Sequence, residues 1–104
     1  MVEAPIGDSA QDFGSTTQYV GSVGTGSTAV PASPGDFISS AIIRCPNQTP
    51  VTRTLSWSVD NSTFHVLAVG EFIGLSIKGN KTQIYLKGNV ASVNYEVVLN
   101  MEPT

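Results

Sequence analysis

The sequence predicts an all-β protein, a small antiparallel β-sandwich of jelly-roll-like form with about seven or eight strands. Apolar and polar residues alternate with a period of two in several segments, and turn residues recur about every eight to twelve positions in the second two-thirds of the chain. Charged residues make up only 12% of the chain, and strong helix formers are scarce. A chain of 104 residues has room for one such domain.

Residues 1–30 are predicted to form an extended N-terminal arm, and residues 31–104 the sandwich domain. The arm segment is rich in Gly, Ser, Thr and acidic residues and has no sustained period. Two short pieces of it, 17–20 and 27–30, could still add to a neighbouring sheet as edge strands. Ordering about 30 residues costs roughly 1 to 2 kcal/mol each, so we expect a neighbouring chain to hold the arm.

The first core strand is predicted at residues 37–45, after the Pro- and Gly-rich breaker cluster at 31–36. Its nearly continuous apolar run predicts burial on both faces near its middle. Residues 52–68 are predicted to form a β-hairpin that turns at 60–62. The predicted apolar face of this hairpin consists of Leu55, Trp57, Val59, Phe64, Val66 and Ala68.

Three further strands follow. Ile73, Leu75 and Ile77 share one face until a turn at Gly79 and Asn80. The next strand, 82–87, points Ile84 and Leu86 inward. The last strand is predicted to be central or well covered, because five consecutive odd positions are apolar: Val93, Tyr95, Val97, Leu99 and Met101.

The charge pattern argues against nucleic-acid binding. The net charge is −3, and the four acidic residues before position 37 face no Lys or Arg. From residue 37 onward five cations meet four anions, so the chain has no basic stripe to neutralise phosphates. No stretch approaches 18 apolar residues and the N-terminus has no signal-peptide pattern, so we expect neither membrane insertion nor export by a signal peptide.

The sequence offers few residues for chemistry, and we expect no catalytic, cofactor-binding or metal-binding residues. The single cysteine, Cys45, is expected to be a buried, inert thiol. His65 is the only histidine, which excludes metal sites with two or three imidazoles or thiolates, and no nucleophile-elbow motif accompanies it. Asp60 and Glu71 form a weak candidate for a carboxylate pair, but capping of the turn by Asp60 explains it better.

Other patterns have a structural explanation that we prefer. The glycine-rich segment 21–26 lacks the Lys and the following helix of a phosphate-binding loop. The triplets starting at Asn47, Asn61 and Asn80 match glycosylation acceptors, but they also suit turns. The side-chain oxygens of residues 60–62 leave a calcium-binding site open as a weak alternative.

A carbohydrate-binding surface is a further possibility, because the chain has one Trp and three Tyr. A sugar-stacking platform needs exposed aromatic rings. Trp57 and Tyr95 fall on the apolar faces of their strands and are expected in the core. Tyr85 is then the one plausible exposed ring of the domain, which favours a structural protein over a lectin.

Several short motifs resemble the small β-sandwich structural proteins of tailed bacteriophages. The first is Thr28–Pro34, which fits the pattern T-x-V-P-A-x-P that opens a strand in these proteins. The others are Ile42–Arg44, the hairpin motif Ser58–Phe64, Gly70–Glu71 and Gln83–Gly88. The resemblance covers about residues 28–100 and concerns fold patterns, so no functional residue carries over from it.

This resemblance implies a non-catalytic virion component, most simply a capsid decoration or cement protein that binds the lattice of the major capsid protein. It implies a homo-oligomer, a trimer in the simplest case, located on the capsid surface after assembly in the host cytoplasm. The arm is expected to contact the major capsid protein or another virion subunit. A tail, baseplate or fibre-attachment component is the nearest alternative, and a carbohydrate-binding module is the alternative of a different class.

Overall fold

Residues 15–102 are described by the computed structural model, and they form eight β-strands in two antiparallel four-stranded sheets, which confirms the predicted sandwich. The strands are β1 (Ser15–Val23), β2 (Thr28–Val30), β3 (Phe37–Arg44), β4 (Thr54–Ser58), β5 (His65–Ala68), β6 (Phe72–Ser76), β7 (Ile84–Gly88) and β8 (Val93–Glu102).

The topology is that of one long hairpin folded over itself. Sheet A has the strand order β1-β8-β3-β6, and sheet B has the order β2-β7-β4-β5. From the turn between β4 and β5 outward, the successive pairs β4–β5, β3–β6, β2–β7 and β1–β8 belong alternately to sheet B and sheet A. This alternation is the jelly-roll arrangement, and it brings the first described strand against the last.

The predicted boundary between arm and domain at residue 30 is wrong for the described part of the arm. Residues 15–23 form β1, which pairs with β8 at every position from Ser15–Met101 to Val23–Val93. Residues 28–30 form β2, which pairs with β7. The chain's own sheets supply the partners, which confirms the expectation that these pieces can add as edge strands. Residues 1–14 of the predicted arm lie outside the described residues.

The core lies between the two sheets and contains side chains from all eight described strands. The odd positions of β8 point into it, and Val93, Val97 and Leu99 are fully buried. Burying each such side chain contributes about 1.5 to 3 kcal/mol. The buried apolar residues are Val23, Val30, Ile38, Ala41, Ile43, Cys45, Leu55, Trp57, Leu67, Ile77, Ile84, Leu86, Val93, Val97, Leu99 and Met101.

The prediction that β3 is buried on both faces is wrong. A register shift between Ile38 and Ser40 in the pairing with β8 lets Ile38 and Ala41 both point inward, although they are three positions apart. Beyond this bulge the strand alternates normally, and Ile42 is 50% exposed. The outer face of sheet A has no covering layer among residues 15–102, so Ile42 and Arg44 face outward there.

The predicted hairpin is confirmed, but the prediction of which residues of its return strand point to the core is wrong. Leu55 pairs with Leu67, and both are buried, whereas Ser56 pairs with Val66, which is 62% exposed. Residues directly opposite each other in an antiparallel pair share a face. The loop 59–64 sets a register in which Phe64, Val66 and Ala68 do not share the face of Leu55.

Turn residues lie where the sequence predicts them. Asn61 has φ of 60° and Asn80 has φ of 58°, a conformation that Asn adopts more readily than most residues. Asn61 lies in the β4–β5 loop, and Asn80 follows Gly79, whose φ is 88°. These positions explain why two of the three Asn-x-Ser/Thr triplets, those starting at Asn61 and Asn80, occur in turns of the sandwich.

Replacement of Trp57 by Ala should lower the free energy of unfolding by about 3 to 5 kcal/mol, because the side chain is only 9% exposed and its removal leaves a cavity. Urea denaturation of both proteins measures the difference. Val66→Ala is the control, since Val66 is 62% exposed and its truncation should change stability by about 0.5 kcal/mol or less. Equal stability of Trp57→Ala and the parent would contradict the core position of the indole.

Gly88→Ala should destabilise the protein because a Cβ atom at this position would lie 2.5 Å from Val93 Cγ2 and 2.9 Å from Val93 Cβ. Val93 is fully buried, so relief of this overlap requires shifts in the core that typically cost about 1 to 3 kcal/mol. Gly26→Ala is the matched control, because a Cβ there meets no atom within 4 Å. Thermal unfolding of the two variants should show a clear loss for Gly88→Ala only.

Candidate functional site

The residues considered for catalysis do not converge. His65 is exposed, and its ring lies against Trp57 with the centroids 4.7 Å apart and the planes tilted by 34°. Asp60 and Glu71 lie at opposite ends of β5, so the candidate carboxylate pair is not formed. Among residues 15–102, no group of three or more His, Cys, Asp or Glu side chains is placed to hold a metal ion.

Asp60 organises the loop between β4 and β5. Its Oδ1 accepts hydrogen bonds from the backbone N–H of Thr63 and of Ser62, both at 2.9 Å, and from the hydroxyl of Ser58 at 2.8 Å. The same Ser58 hydroxyl accepts the backbone N–H of Asn61 at 2.9 Å. Foremost the Thr63 amide, then the Ser58 hydroxyl and the Ser62 amide lower the pKa of Asp60 to about 2. The carboxylate thus caps the turn, as the sequence predicts.

Because the pKa of Asp60 is about 2 in the folded protein and near 3.8 without these hydrogen bonds, its contribution to stability should be complete above about pH 4 and lost as the pH falls from 4 to 2. The melting temperatures of the parent and Asp60→Ala should therefore converge over this interval. Ser62→Ala keeps the backbone donor, so its difference from the parent should not vary with pH. A parent-to-Asp60→Ala difference that persists unchanged at pH 2 would contradict this role.

Cys45 is fully buried, as expected from the sequence, and burial raises the pKa of its thiol. Gln48 lies three residues after Cys45. Its side-chain amide hydrogen-bonds to the backbone of β8, as the backbone of a neighbouring strand would. Its Oε1 accepts the backbone N–H of Asn94 at 2.8 Å, and its Nε2 donates to the backbone carbonyl of Asn94 at 3.1 Å. This pair completes the hydrogen bonding of β8 beyond Pro46, where β3 has ended.

An open cleft of about 510 Å³ lies beside this pair. The ring of Tyr95 covers Gly21 on the neighbouring strand, where a Cβ would lie 3.1 Å from the Tyr95 hydroxyl oxygen. The residues that line the cleft are all exposed or half-buried, so it is a surface groove and not an enclosed pocket. They are Val20, Gly21, Ser22, Pro46, Asn47, Asn94, Tyr95 and Glu96.

The outer face of sheet A, called the A face below, is a second candidate binding surface of the described residues. The strand registers place its side chains in rows that run from β1 through β8 and β3 to β6. The rows are Val20–Glu96–Arg44–Phe72, then Gln18–Val98–Ile42–Gly74, then Thr16–Asn100–Ser40–Ser76.

Four of the twelve row positions of the A face carry apolar side chains, and three of these are open to solvent. Val20 is 67% exposed, Phe72 is 68% exposed and Ile42 is 50% exposed, with the half-buried Val98 between them. Arg44 and Glu96 stand side by side in the row that begins with Val20. A cluster of exposed apolar side chains on one sheet face is a feature of protein-binding sites.

The third row of the A face is ordered by its own hydrogen bonds. Asn100 lies in the centre, accepts the hydroxyl of Thr16 at 2.6 Å through Oδ1, and donates through Nδ2 to the Ser40 hydroxyl at 2.7 Å. These bonds join β1, β8 and β3 on the outer surface. The face is therefore held in shape before any partner binds, which lowers the entropic cost of association.

Sequence reasoning does not identify the A face, because it predicts a doubly buried strand around Ile42 and an arm at Val20. A signal is present in β6, where Phe72 falls on the face opposite to Ile73 and Leu75. Other strongly exposed apolar residues do not join this surface: Val66 is on sheet B, and Val51 precedes β4. Scattered residues of that kind are normal on a protein surface.

The aromatic residues are arranged differently from a sugar-stacking platform. Trp57 is buried, as predicted, so its ring is closed to a ligand. Tyr95 is half-buried against the core and only partly fits its predicted core position, and Tyr85 is half-buried as well. On the outer face of sheet B, the Lys87 ammonium lies 4.1 Å from the ring centroid of Phe64, which partly covers that ring.

Comparison with known proteins gives a likeness of fold. No protein-family model and no curated protein matches the sequence. A solved structure of a Bacillus endospore appendage protein, from a family of disulfide-linked pili, is similar over 85% of this chain and 87% of its own, with a TM-score of 0.55 and 11% identity. The Yersinia pseudotuberculosis-derived mitogen matches over 88% of this chain and 89% of its own, with a TM-score of 0.44 and 11% identity.

The likeness to the appendage protein supports the β-sandwich fold and goes no further, because the identity is low. Within the described part of the chain, no helix has the length and apolar character needed to cross a membrane.

Proposed function

We propose that this protein is a non-catalytic structural subunit that binds other protein subunits of an ordered assembly through the A face. The observation that supports the proposal most strongly is the exposure of Val20, Ile42 and Phe72 on one side of one sheet. The largest exposed apolar patch of a protein is often a functional surface. Burying these side chains against a partner removes apolar area from water, which favours association.

The assembly that we propose is a virion, in which the protein is a capsid decoration protein bound to the lattice of the major capsid protein. The resemblance of residues 28–100 to phage β-sandwich structural proteins supports this choice. Of the segment that was expected to contact neighbouring subunits as an arm, residues 15–30 contribute two strands to the sandwich, and residues 1–14 lie outside the described residues. Multivalent display on a lattice would strengthen a contact that is weak between two isolated molecules.

A subunit of a pilus-like filament is the second candidate. The appendage protein with the similar fold belongs to a family of disulfide-linked pili, which favours this candidate. Cys45 is the only cysteine of the chain and is fully buried, so a disulfide between subunits through this residue would require opening of the core. A filament of this chain would accordingly depend on non-covalent contacts.

If the protein is a virion subunit, it should sediment with particles purified on a density gradient from cells that produce it, and Ile42→Lys should remain at the top of the gradient. A lysine at position 42 places a charge in the centre of the apolar surface, and its desolvation opposes binding. Val66→Lys is the matched control, because Val66 is also an exposed apolar strand residue but belongs to sheet B. Antibody detection across the fractions measures the distribution.

Particle fractions that lack the protein would contradict the virion proposal. Sedimentation of Ile42→Lys with particles at the parental level would contradict the role of the A face. Deletion of residues 2–14 tests separately whether this segment contributes to particle binding, because the deletion ends before β1 begins at Ser15.

A further inference from the structure

The A face has an internal symmetry that its rows reveal. Consider a line parallel to the strands that runs between β8 and β3, the two central strands of sheet A. In the first row, Glu96 and Arg44 lie on either side of this line, and Val20 and Phe72 lie at the two ends. The central positions of this row thus carry opposite charges, and both of its ends are apolar.

The third row is polar throughout. Asn100 and Ser40 flank the line, and Thr16 and Ser76 lie at the ends. A half-turn about the line therefore exchanges polar with polar in this row.

The second row is apolar at its centre, where Val98 and Ile42 flank the line. Its ends are Gln18 and Gly74, so a half-turn sets a polar side chain over a position that has none and that offers it room. At all remaining pairs of positions in the three rows, the half-turn matches apolar with apolar, polar with polar, or cation with anion.

We propose that a second copy of this chain packs its A face against the first about a two-fold axis parallel to the strands and between β8 and β3. The proposal rests on the assembly function above and names a second copy of this chain as the subunit that the A face binds, so that the dimer meets the particle through its other surfaces. In this arrangement Arg44 of each copy faces Glu96 of the other, so two ion pairs form across the interface. A two-fold contact between identical surfaces requires self-complementarity of this kind.

The same rows fit a second copy poorly about an axis perpendicular to the strands. Such an axis through the second row places Glu96 opposite Asn100 and Arg44 opposite Ser40, so neither charge meets its opposite. It also sets the apolar ends of the first row against the hydroxyls at the ends of the third. Only the axis parallel to the strands matches both the charges and the apolar residues of the described rows. Two sheets stacked in this way pack with nearly aligned strands, a common geometry in β-proteins.

The size of the A face predicts the strength of the contact. Four strands about 4.8 Å apart and the residues between the outer rows give a surface on the order of 400 Å² per copy. A stable interface of standard size buries about 800 Å² on each partner. The dimer should therefore be weak in isolation and appear at protein concentrations between about 10 μM and 1 mM. A two-fold contact yields a dimer, which mass measurement separates from the trimer that the phage resemblance implies.

Charge reversal tests the pairing. Arg44→Glu brings two carboxylates together at each contact across the axis, and Glu96→Arg brings two guanidinium groups together there. Each variant alone should therefore associate at least about tenfold more weakly than the parent. An equimolar mixture of the two variants restores opposite charges across the axis, because in a mixed dimer the carboxylates of one variant face the guanidinium groups of the other.

 In that mixed dimer, positions 44 and 96 are both acidic in one chain and both basic in the other, so each of the two contacts joins a carboxylate to a guanidinium.

The mixture should thus form a heterodimer with about the parental affinity. Sedimentation-equilibrium ultracentrifugation of the parent, of each variant and of the mixture measures the association constants.

Two further proteins control for folding and for net charge. The double variant Arg44→Glu with Glu96→Arg restores the neighbouring pair within each chain and the pairs between chains, so it should dimerise like the parent. Lys87→Glu makes the same charge change on the outer face of sheet B and should leave self-association unaltered. Thermal unfolding of every variant verifies that the sandwich is intact.

A parent that stays monomeric up to about 1 mM, or a mixture that associates no better than its components, would overturn the two-fold dimer. The proposed function is judged separately, by sedimentation with particles and its loss in Ile42→Lys. A monomeric parent together with particle binding that depends on Ile42 would assign the A face to a different subunit. Particle-independent dimerisation with rescue in the mixture would support the dimer even if the virion proposal failed.

Discussion

Burial of one side of β8 is the constraint on which the rest of the structure depends. This strand lies between β1 and β3, so it supplies the pairing partner for all nine residues of β1. Its inward side chains include the fully buried Val93, Val97 and Leu99, which pack against residues of both sheets. A slip of one residue would expose this whole set to solvent. The free-energy cost of losing this apolar burial fixes the register of sheet A.

The same constraint creates the candidate site. Because successive strand residues point to opposite faces, burial of the odd positions of β8 forces Glu96, Val98 and Asn100 outward. These residues form one of the two central columns of the A face, and β3 supplies the other with Ser40, Ile42 and Arg44. Stability and surface chemistry are thus coupled through the alternation of a single strand pair. The surface is carried by the same backbone as the core beneath it, which suits a subunit that must dock in one orientation.

Several polar side chains form hydrogen bonds that complete the backbone pairing of the fold. The Asp60 carboxylate caps the β4–β5 loop, and the Gln48 amide pairs with the backbone of Asn94. Asn89 acts in the same way near β4, where its Oδ1 accepts the backbone N–H of Thr54 at 2.9 Å and its Nδ2 donates to the Thr52 carbonyl at 3.0 Å. Such side chains replace missing strand neighbours where loops leave the sheets, and so give hydrogen-bond partners to backbone groups that have none within a sheet.

The sequence by itself determined the all-β class, the hairpin with its turn at Asp60 and Asn61, and the inward face of β8, because period-two alternation and turn chemistry are local properties. Only the tertiary structure decided that residues 15–30 belong to the sandwich, since a strand with sparse apolar residues becomes stable only when β8 supplies its hydrogen bonds. The bulge near Ser39 likewise depends on pairing with β8, which is distant in the chain. The A face follows from these pairings: Val20, Ile42 and Phe72 are far apart in the chain, and only the strand order makes them neighbours.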